Sequence, residues 1–415
     1  MSNNQIVDSL ENSYLPKLRF SDSKNNKRWK KLYLDSISKN LDNLRVPISS
    51  LNRENGEIPY YGASGIVDYV NDFIFDDDLL CISEDGANLL ARVYPIAFSV
   101  SGKSWINNHA HVLKFNKKEH QIIVEAYLNS ISLEDYLTGM AQPKLNKAML
   151  NKIPLYLPVD TTEQIKLASF ITSLNTLLEH ELDKLNRLNE HKNSLLQQLF
   201  PKKGESIPRL RFSDFSENWE EISSEKAFSR IKTKNSVDEK NVLTISAQKG
   251  LISQEEYFNK SVSSKNVSGY YLIKKGEFAY NKSYSAGYPM GAIKKLSRYK
   301  QGVVSPLYIC FSVDDKIIDS EFFQYYCDGG FLNSELGKIA QEGARNHGLL
   351  NIGLDDFFKN IIFKIPKKNE QEKIASCLTS LDEVITNQNN YIKYLKEHKK
   401  GLMQQLFPVL EDFSA

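Results

Sequence analysis

The segment EQIKLASFITSLNTLLEHELDKLNRLNEHKNSLLQQLFP, residues 163–201, aligns without a gap on EQEKIASCLTSLDEVITNQNNYIKYLKEHKKGLMQQLFP, residues 370–408, at an offset of 207. A second echo pairs PKLRFSD (16–22) and Trp29 with PRLRFSD (208–214) and Trp219, at offsets of 192 and 190. The chain is therefore an internal repeat. Each half runs from a lead motif through a variable module into a matching segment.

Both matching segments read as helices. Thr161 with Gln164, and Asn369 with Glu372, have capping-box spacing, and Pro201 and Pro408 stop the two runs. Written as heptads, the first places Ile171, Leu178, Leu185, Lys192 and Leu199 at a, with Leu174, Glu181, Leu188 and Leu195 at d. The second places Leu378, Ile385, Ile392, Lys399 and Leu406 at a, with Leu381, Gln388, Leu395 and Leu402 at d. A parallel, in-register pair would bury Lys192 against Lys399, which is costly. An antiparallel pair sets Glu181 opposite Lys399 and Lys192 opposite Gln388, leaves the other layers apolar, and uses the polar layers as a register lock. The competing arrangement buries each stripe against its own module.

Antiparallel helices of equivalent design are related by a two-fold axis, which is the symmetry of DNA. The seam from Ile171 to Leu199 spans about 42 Å at about 1.5 Å per residue. That is comparable to the roughly 34–36 Å between half-sites one DNA turn apart.

Before each helix lies a β-like run ending in proline, IPLYLP (153–158) and IIFKIP (361–366), and the polar PKKGESIP (201–208) marks the change of halves. ARVYPIAFSV, HAHVLKF, GEFAYNK and LYICFSV read as strands, QIIVEAYLNSI and SEFFQYYCD as short helices, so each module mixes α and β. The expected fold is α+β: a first module over 1–158, a helix over 159–200, a linker and second module over 201–366, a helix over 367–408 and a tail over 409–415.

A chain of 415 residues with 41% hydrophobic and 25% charged residues supports at least two cores. It has no run of about 18 apolar residues to span a membrane and no signal-peptide pattern at its start, so a cytoplasmic protein without a membrane partner is expected. The 4 cysteines lack CxxC spacing and the 7 histidines form no ligand pattern with them, which points to a reduced interior and no metal. Net charge is only +2, but Lys226 to Lys300 holds 15 basic against 5 acidic residues, enough for a basic face on the second module or simply a solvated surface.

These features together resemble the specificity subunit of type I restriction-modification enzymes: the duplicated architecture, the proline-ended run before EQ.K.AS..TSL, the closing LLQQLFP and LMQQLFP, and the lead motif LRFSD. The resemblance covers nearly the whole chain. It implies two target-recognition domains, about 20–158 and 212–366, each reading one half of a bipartite, asymmetric duplex sequence, with the paired helices as a ruler for the spacer. It further implies docking of two methylation subunits, which methylate adenine, and through them of restriction-translocation subunits. S-adenosylmethionine, ATP and Mg would belong to those partners, no cofactor to this chain, and the complex would sit on DNA in the bacterial cytoplasm.

No catalytic residue is assigned. An amino-methyltransferase of this kind carries [DNS]PP[YFW], and the chain has no PP dipeptide. AFSVSGKS (97–104) matches a phosphate loop nominally, but Trp105 to His111 reads as turn then strand rather than helix. His109 and His111 alternate on one strand without a third ligand. A scaffold for protein surfaces, a subunit of a related multisubunit system and a hidden nuclease are the competing readings; no (D/E)xK motif in a strand supports the last.

Base readout needs amide, hydroxyl, basic and aromatic groups on loops flanking strands. In the first module the candidates are Tyr60, Tyr61 and Ser64 in IPYYGASG, and Lys103, Ser104, Trp105, Asn107, Asn108 and His109 in GKSWINNH. In the second they are Asn281, Lys282, Ser283, Tyr284 and Tyr288 in YNKSYSAGYP, and Arg345, Asn346 and His347 in GARNHG. For each, turn chemistry or core packing is the plainer alternative.

Overall fold

The computed structural model describes residues 15–20, 29–139, 142–246, 250–258, 267–284, 287–340 and 350–408. The chain gathers into two compact units, Met1–Asp183 with Asn390–Ala415, and Lys184–Asn389. This division cuts each long helix in two instead of setting it apart as a separate spacer.

In the first unit, β1 (Trp29–Leu32) pairs antiparallel with β10 (Leu155–Pro158) and ties the start of the module to its end. One sheet has the order β2-β9-β6-β7, with β2 Ser38–Asn40, β6 Leu79–Ser83, β7 Ala97–Val100 and β9 Ala110–Phe115. A second has the order β4-β3-β8-β5, with β3 Asn55–Gly62, β4 Gly65–Val70, β5 Phe75–Asp76 and β8 Lys103–Ile106. Strand β6, LLCIS, is buried throughout because it is apolar on both faces. Leu80 and Ile82 enter a core shared with helix α1 (Lys118–Ser130), while Leu79 and Cys81 join Phe75, Val100 and Ile106 in a second one. Helix α1 supplies Ile123, Val124, Tyr127 and Leu128 at the spacing that puts them on one side.

Helix α2 (Thr161–Leu199) starts in this core through Leu167, Ala168 and Ile171. Met403, Leu406 and Phe407, at the end of the second long helix, lie in the same core. Further up α2, Glu179 acts on the charge of Lys399. As one helix ascends from Ile171 the other descends from Met403, so the pair is antiparallel.

The second unit repeats the plan. Strands β11 (Glu220–Ser223) and β20 (Ile362–Ile365) form the closing ladder, and a sheet of order β12-β19-β16-β17 is built from β12 Phe228–Arg230, β16 Phe278–Asn281, β17 Ala292–Lys295 and β19 Ile309–Val313. Two smaller pairs join β13 (Leu243–Ser246) to β14 (Gly250–Ser253) and β15 (Tyr271–Lys274) to β18 (Gln301–Val304). Helix α3 (Ser320–Asp328), capped by Asp319, packs Phe322 and Phe323 on the main sheet. The core is strongly aromatic, and it receives Leu196, Leu199 and Phe200 from the end of α2 together with Ile374, Ala375 and Leu378 from the start of α4 (Lys368–Leu406). Phe200 stacks on Phe331 at 4.7 Å and on Phe322 at 5.2 Å.

The lead motifs have the same job in both units. Leu18 N–H donates to the Gln405 carbonyl at 2.9 Å, and Leu210 N–H to the Gln198 carbonyl at 3.0 Å. Arg19 grips Glu163 through Nε and Nη2 at 2.9 and 2.7 Å, and Arg211 grips Glu370 at 2.8 and 2.7 Å. Trp29 adds its indole N–H to Glu163 at 3.2 Å. Gln164 and Gln371 each donate to the carbonyl of the proline that ends the preceding strand, Pro158 and Pro366, at 2.7 and 2.9 Å.

Several local expectations need correction. Asp160, not Thr161, caps α2: its carboxylate accepts from the Thr162 N–H at 2.9 Å. Asn369 lies inside the first turn of α4 and accepts from Glu370 N–H. Lys192 binds Asp382 at 2.6 Å, six residues along the helix from the Gln388 expected opposite it. Asp382 also accepts from the Tyr325 hydroxyl at 2.7 Å, so this layer is fixed by a module side chain that heptad spacing cannot foresee. The carboxylates acting on Lys399 are Glu125, from α1, and Glu179; burial nonetheless lowers the lysine's hold on its proton. The heptad stripe itself is real: Gln388, Ile385 and Ile392 are buried, and Glu181 and Lys399 are partly covered.

Candidate nucleic-acid interface

Two of the candidate loops of the first module flank β3 and β8, which run parallel to each other with Tyr60 beside Trp105 and Tyr61 beside Ile106. The structure thus brings both together. It does not turn all their side chains outward. Tyr60 is 1% exposed, and its hydroxyl accepts from the Ile48 N–H at 3.1 Å and donates to the Ile48 carbonyl at 3.3 Å. Ser104 is fully buried, and its hydroxyl has no hydrogen-bond partner among the described residues. Asn107 is buried and accepts from the His109 N–H at 2.8 Å, an Asx turn that shapes the loop. These three cannot present their side chains to a duplex, and the plainer reading, core and turn, applies to them.

Trp105 is partly buried and its indole N–H is committed to the Val46 carbonyl at 2.6 Å. Tyr61 is partly buried against Phe98, ring centroids 5.9 Å apart. Lys103 and Asn108 are exposed, Ser64 partly so in the turn before β4. His109 is exposed but holds Asp85 at 2.9 Å.

His111, its neighbour on β9, is buried. Its Nδ1 meets Asp42 at 2.7 Å and its Nε2 meets the Leu145 carbonyl at 2.7 Å. A carbonyl only accepts, so Nε2 carries a proton. Burial pushes the Asp42 carboxyl upward, but hydrogen bonds from His111, Asn40 and the Val112 amide outweigh it and hold it at about 2. Arg45 joins this network through Glu84 at 2.7 Å and the Ala110 carbonyl at 2.8 Å. The alternating histidines are thus a structural pin and a surface hydrogen bond. Among the described residues no three His, Cys, Asp or Glu side chains gather to hold a metal. In the nominal phosphate loop, Gly102 turns the chain at φ +73° directly into β8, so no helix N-terminus faces it.

The segment that sequence reading missed lies between β2 and β3. Ser49, Ser50, Leu51 and Asn52 are exposed at the tip of an excursion whose stem is fastened by Trp105 and Tyr60. The signal was present in RVPISSLNR, where proline, two serines and asparagine mark a turn, but no periodicity singles it out.

In the second module Asn281 accepts from the Ser283 N–H at 3.1 Å, a local turn, and Tyr284 is 66% exposed. Lys282 is partly exposed and lines a cleft of about 190 Å³ with Arg230, Tyr271 and Leu307. Tyr288 accepts from Lys294 Nζ at 3.0 Å. Arg345, Asn346 and His347 lie outside the described residues.

The basic stretch is partly neutralised. Lys294 is paired with Asp328 at 2.6 Å; burial alone would lower its proton affinity, and Asp328 more than reverses this. Lys295 pairs with Glu321 and Arg298 with Glu256. Arg230, Lys232 and Lys234 have no carboxylate partner among the described residues and are exposed on β12 and just beyond it, with Lys234 resting 3.6 Å over the Tyr271 ring.

Residues 26–190 match the family model of the type I restriction modification DNA specificity domain. That match covers the first module and most of the first long helix, somewhat under half of the chain. A putative type I restriction enzyme specificity subunit of Haemophilus influenzae is 36% identical over 150 residues, 36% of this chain and 38% of that protein. The MjaVIII specificity subunit of Methanocaldococcus jannaschii is 28% identical over 110 residues, 26% of this chain and 24% of that protein. The matches thus span well under half of those relatives. The fold as a whole is shared with the crystal structure of a type I restriction-modification S subunit from M. genitalium, at a TM-score of 0.58 and 15% identity, covering 96% of this chain and 100% of that one.

Proposed function

We propose that this chain is the non-catalytic DNA-recognition subunit of a type I restriction-modification complex. Each module reads one half of a bipartite, asymmetric duplex target, and the paired helices set the unspecified spacer. The observation that carries this reading is the duplication itself: two modules with the same main-sheet order stand on matching helices and differ in their loops. A reader of two dissimilar half-sites needs a constant frame and variable edges.

Adenine methylation falls to two methylation subunits carrying S-adenosylmethionine, and restriction to motor subunits that bind ATP and Mg and join through them, in the bacterial cytoplasm. None of the chain's own residues is given a chemical step. Its part is to bind, to orient the duplex and to place the target adenine before the partner's active site.

The test is a module exchange. Residues 212–366 are replaced by the corresponding module of a homologue, and the methylated sequence is mapped by single-molecule sequencing in a host that also expresses the methylation subunits. One half of the site should change while the other stays; a change in both halves, or in neither, contradicts independent reading. A matched insertion in both helices should lengthen the spacer, and an unaltered spacer would remove the ruler.

A further inference from the structure

Between β2 and β3 the chain leaves the body of the first module and returns, and its tip is held from beneath by three side chains. Trp105 Nε1 donates to the Val46 carbonyl at 2.6 Å. The buried Tyr60 hydroxyl bonds both the N–H and the carbonyl of Ile48, at 3.1 and 3.3 Å. Arg53 donates to the same carbonyl at 3.3 Å, lies 4.3 Å over the Tyr60 ring, and is anchored at its far end by Asp68 at 3.0 Å. The tip is a short 3-10 turn, Ser50–Asn52, closed by Asn52 N–H to the Ser49 carbonyl at 2.9 Å.

Nothing within the described residues covers this tip. Leu51 is 94% exposed, more than any other large apolar side chain described, and Ser49, Ser50 and Asn52 are exposed beside it. An exposed leucine on a loose loop needs no explanation. Here three aromatic or basic side chains are committed to fixing the backbone under it, which is the preorganisation a contact surface requires. From Pro47 to Asn52 there is no acidic residue to repel a polyanion. Serine hydroxyls and an asparagine amide exchange hydrogen bonds with base edges, and a projecting apolar side chain fits a thymine methyl or a base step.

We propose that Ser49–Asn52 is the loop with which the first module reads bases, with Ser50 and Asn52 forming hydrogen bonds to base edges and Leu51 making the apolar contact. This rests on the DNA-recognition reading above and names its residues. Tyr60, Trp105 and Arg53 are then positioning residues. The excursion after β12 stands at the same place in the second module: buried Asn235 bonds the Glu239 carbonyl and N–H at 2.9 Å each, and Val237 is 61% exposed beyond it. The two tips differ in residues, as readers of unlike half-sites should.

The experiment maps the methylated sequence for the full chain expressed with its methylation subunits, as wild type and as Leu51→Ala, Asn52→Ala and Tyr60→Phe. The tip variants should melt with the wild type, since their side chains support nothing, yet lower methylation at the wild-type site by about tenfold or more, or relax one or two positions of a single half-site. Tyr60→Phe, which keeps the ring under Arg53, should give a smaller loss at the same half. If the wild type methylates a bipartite site and both tip variants methylate it equally well, the loop assignment is wrong and the DNA reading stands. If the tip variants lose assembly with the methylation subunits while duplex discrimination is unchanged, the loop is a protein-docking surface and the assignment is overturned. If the wild-type complex methylates no defined sequence, the underlying reading fails instead.

Discussion

Removing the guanidinium of Arg19 should unsettle the first unit far more than a surface change does. The Arg19 and Glu163 side chains are 8% and 2% exposed, and the pair is bidentate. Arg19→Met leaves the Glu163 carboxylate buried with the Trp29 N–H at 3.2 Å still attached. Stranding one charge of such a pair costs about 3–5 kcal/mol, whereas neutralising both partners costs much less. For a unit of this size each kcal/mol moves the Tm by roughly 2–4 °C, so Arg19→Met should lower it by about 6–20 °C. Adding Glu163→Gln should restore most of that loss. The assay is calorimetric melting of the full chain as wild type, both single variants and the double. Arg211→Met should behave alike through Glu370, whose side chain is 3% exposed. The reasoning is refuted if Arg19→Met melts with the wild type, or if the double variant loses the sum of the two singles.

Three further outcomes are expected. Asp42 has a carboxyl held at about 2 in the folded protein, below its ordinary 3.8, so its contribution is present above pH 4 and is lost as pH falls toward 2. Urea unfolding over that window should show about 2 kcal/mol of stability disappearing in the wild type and not in Asp42→Asn, and equal slopes would dismiss the network. Phe407→Ala removes a ring set edge-on to Tyr127 at 5.3 Å in the first unit's core and should cost about 3–5 kcal/mol, with faster hydrogen exchange across residues 118–130; protection there that does not change would mean the helix end is not docked. Lys192→Met and Asp382→Asn should show a coupling energy of about 1 kcal/mol in a double-mutant cycle, modest because both side chains are partly exposed, and zero coupling would refute the observed layer.

The long helices were legible because two independent signals agree over many residues: a repeated sequence and a seven-residue apolar stripe. Their direction was legible from one energetic fact, that Lys192 and Lys399 cannot share a layer. The layer pairing was not, because the partner of Lys192 is Asp382, which lies off the seam and is held by Tyr325 from the module. In the candidate loops the strand ends were legible and the side-chain directions were not. Glycine, aromatics and amides in IPYYGASG and GKSWINNH do mark strand ends, yet aromatic side chains serve a core as readily as a surface. Tyr60 and Trp105 turned inward to brace a neighbouring turn, a choice made by tertiary packing that sequence pattern does not encode.

The same packing explains which parts of the repeat resemble each other. Leu18 bonds the end of α4 at Gln405, and Leu210 bonds the end of α2 at Gln198. Phe407 fills the first core, and Phe200, its counterpart, fills the second. Each unit is thus closed by the lead motif of one repeat and the helix end of the other. A change in either would have to be met by its partner in the opposite half of the sequence. The loops between strands are fastened differently: the hydrogen bonds that brace Ser49–Asn52 and Ser236–Lys240 come from their own modules, and the braces differ in kind. On the proposed reading, a frame whose closing contacts are reciprocal, with tips braced from within their own module, would let one half change what it reads without disturbing the other.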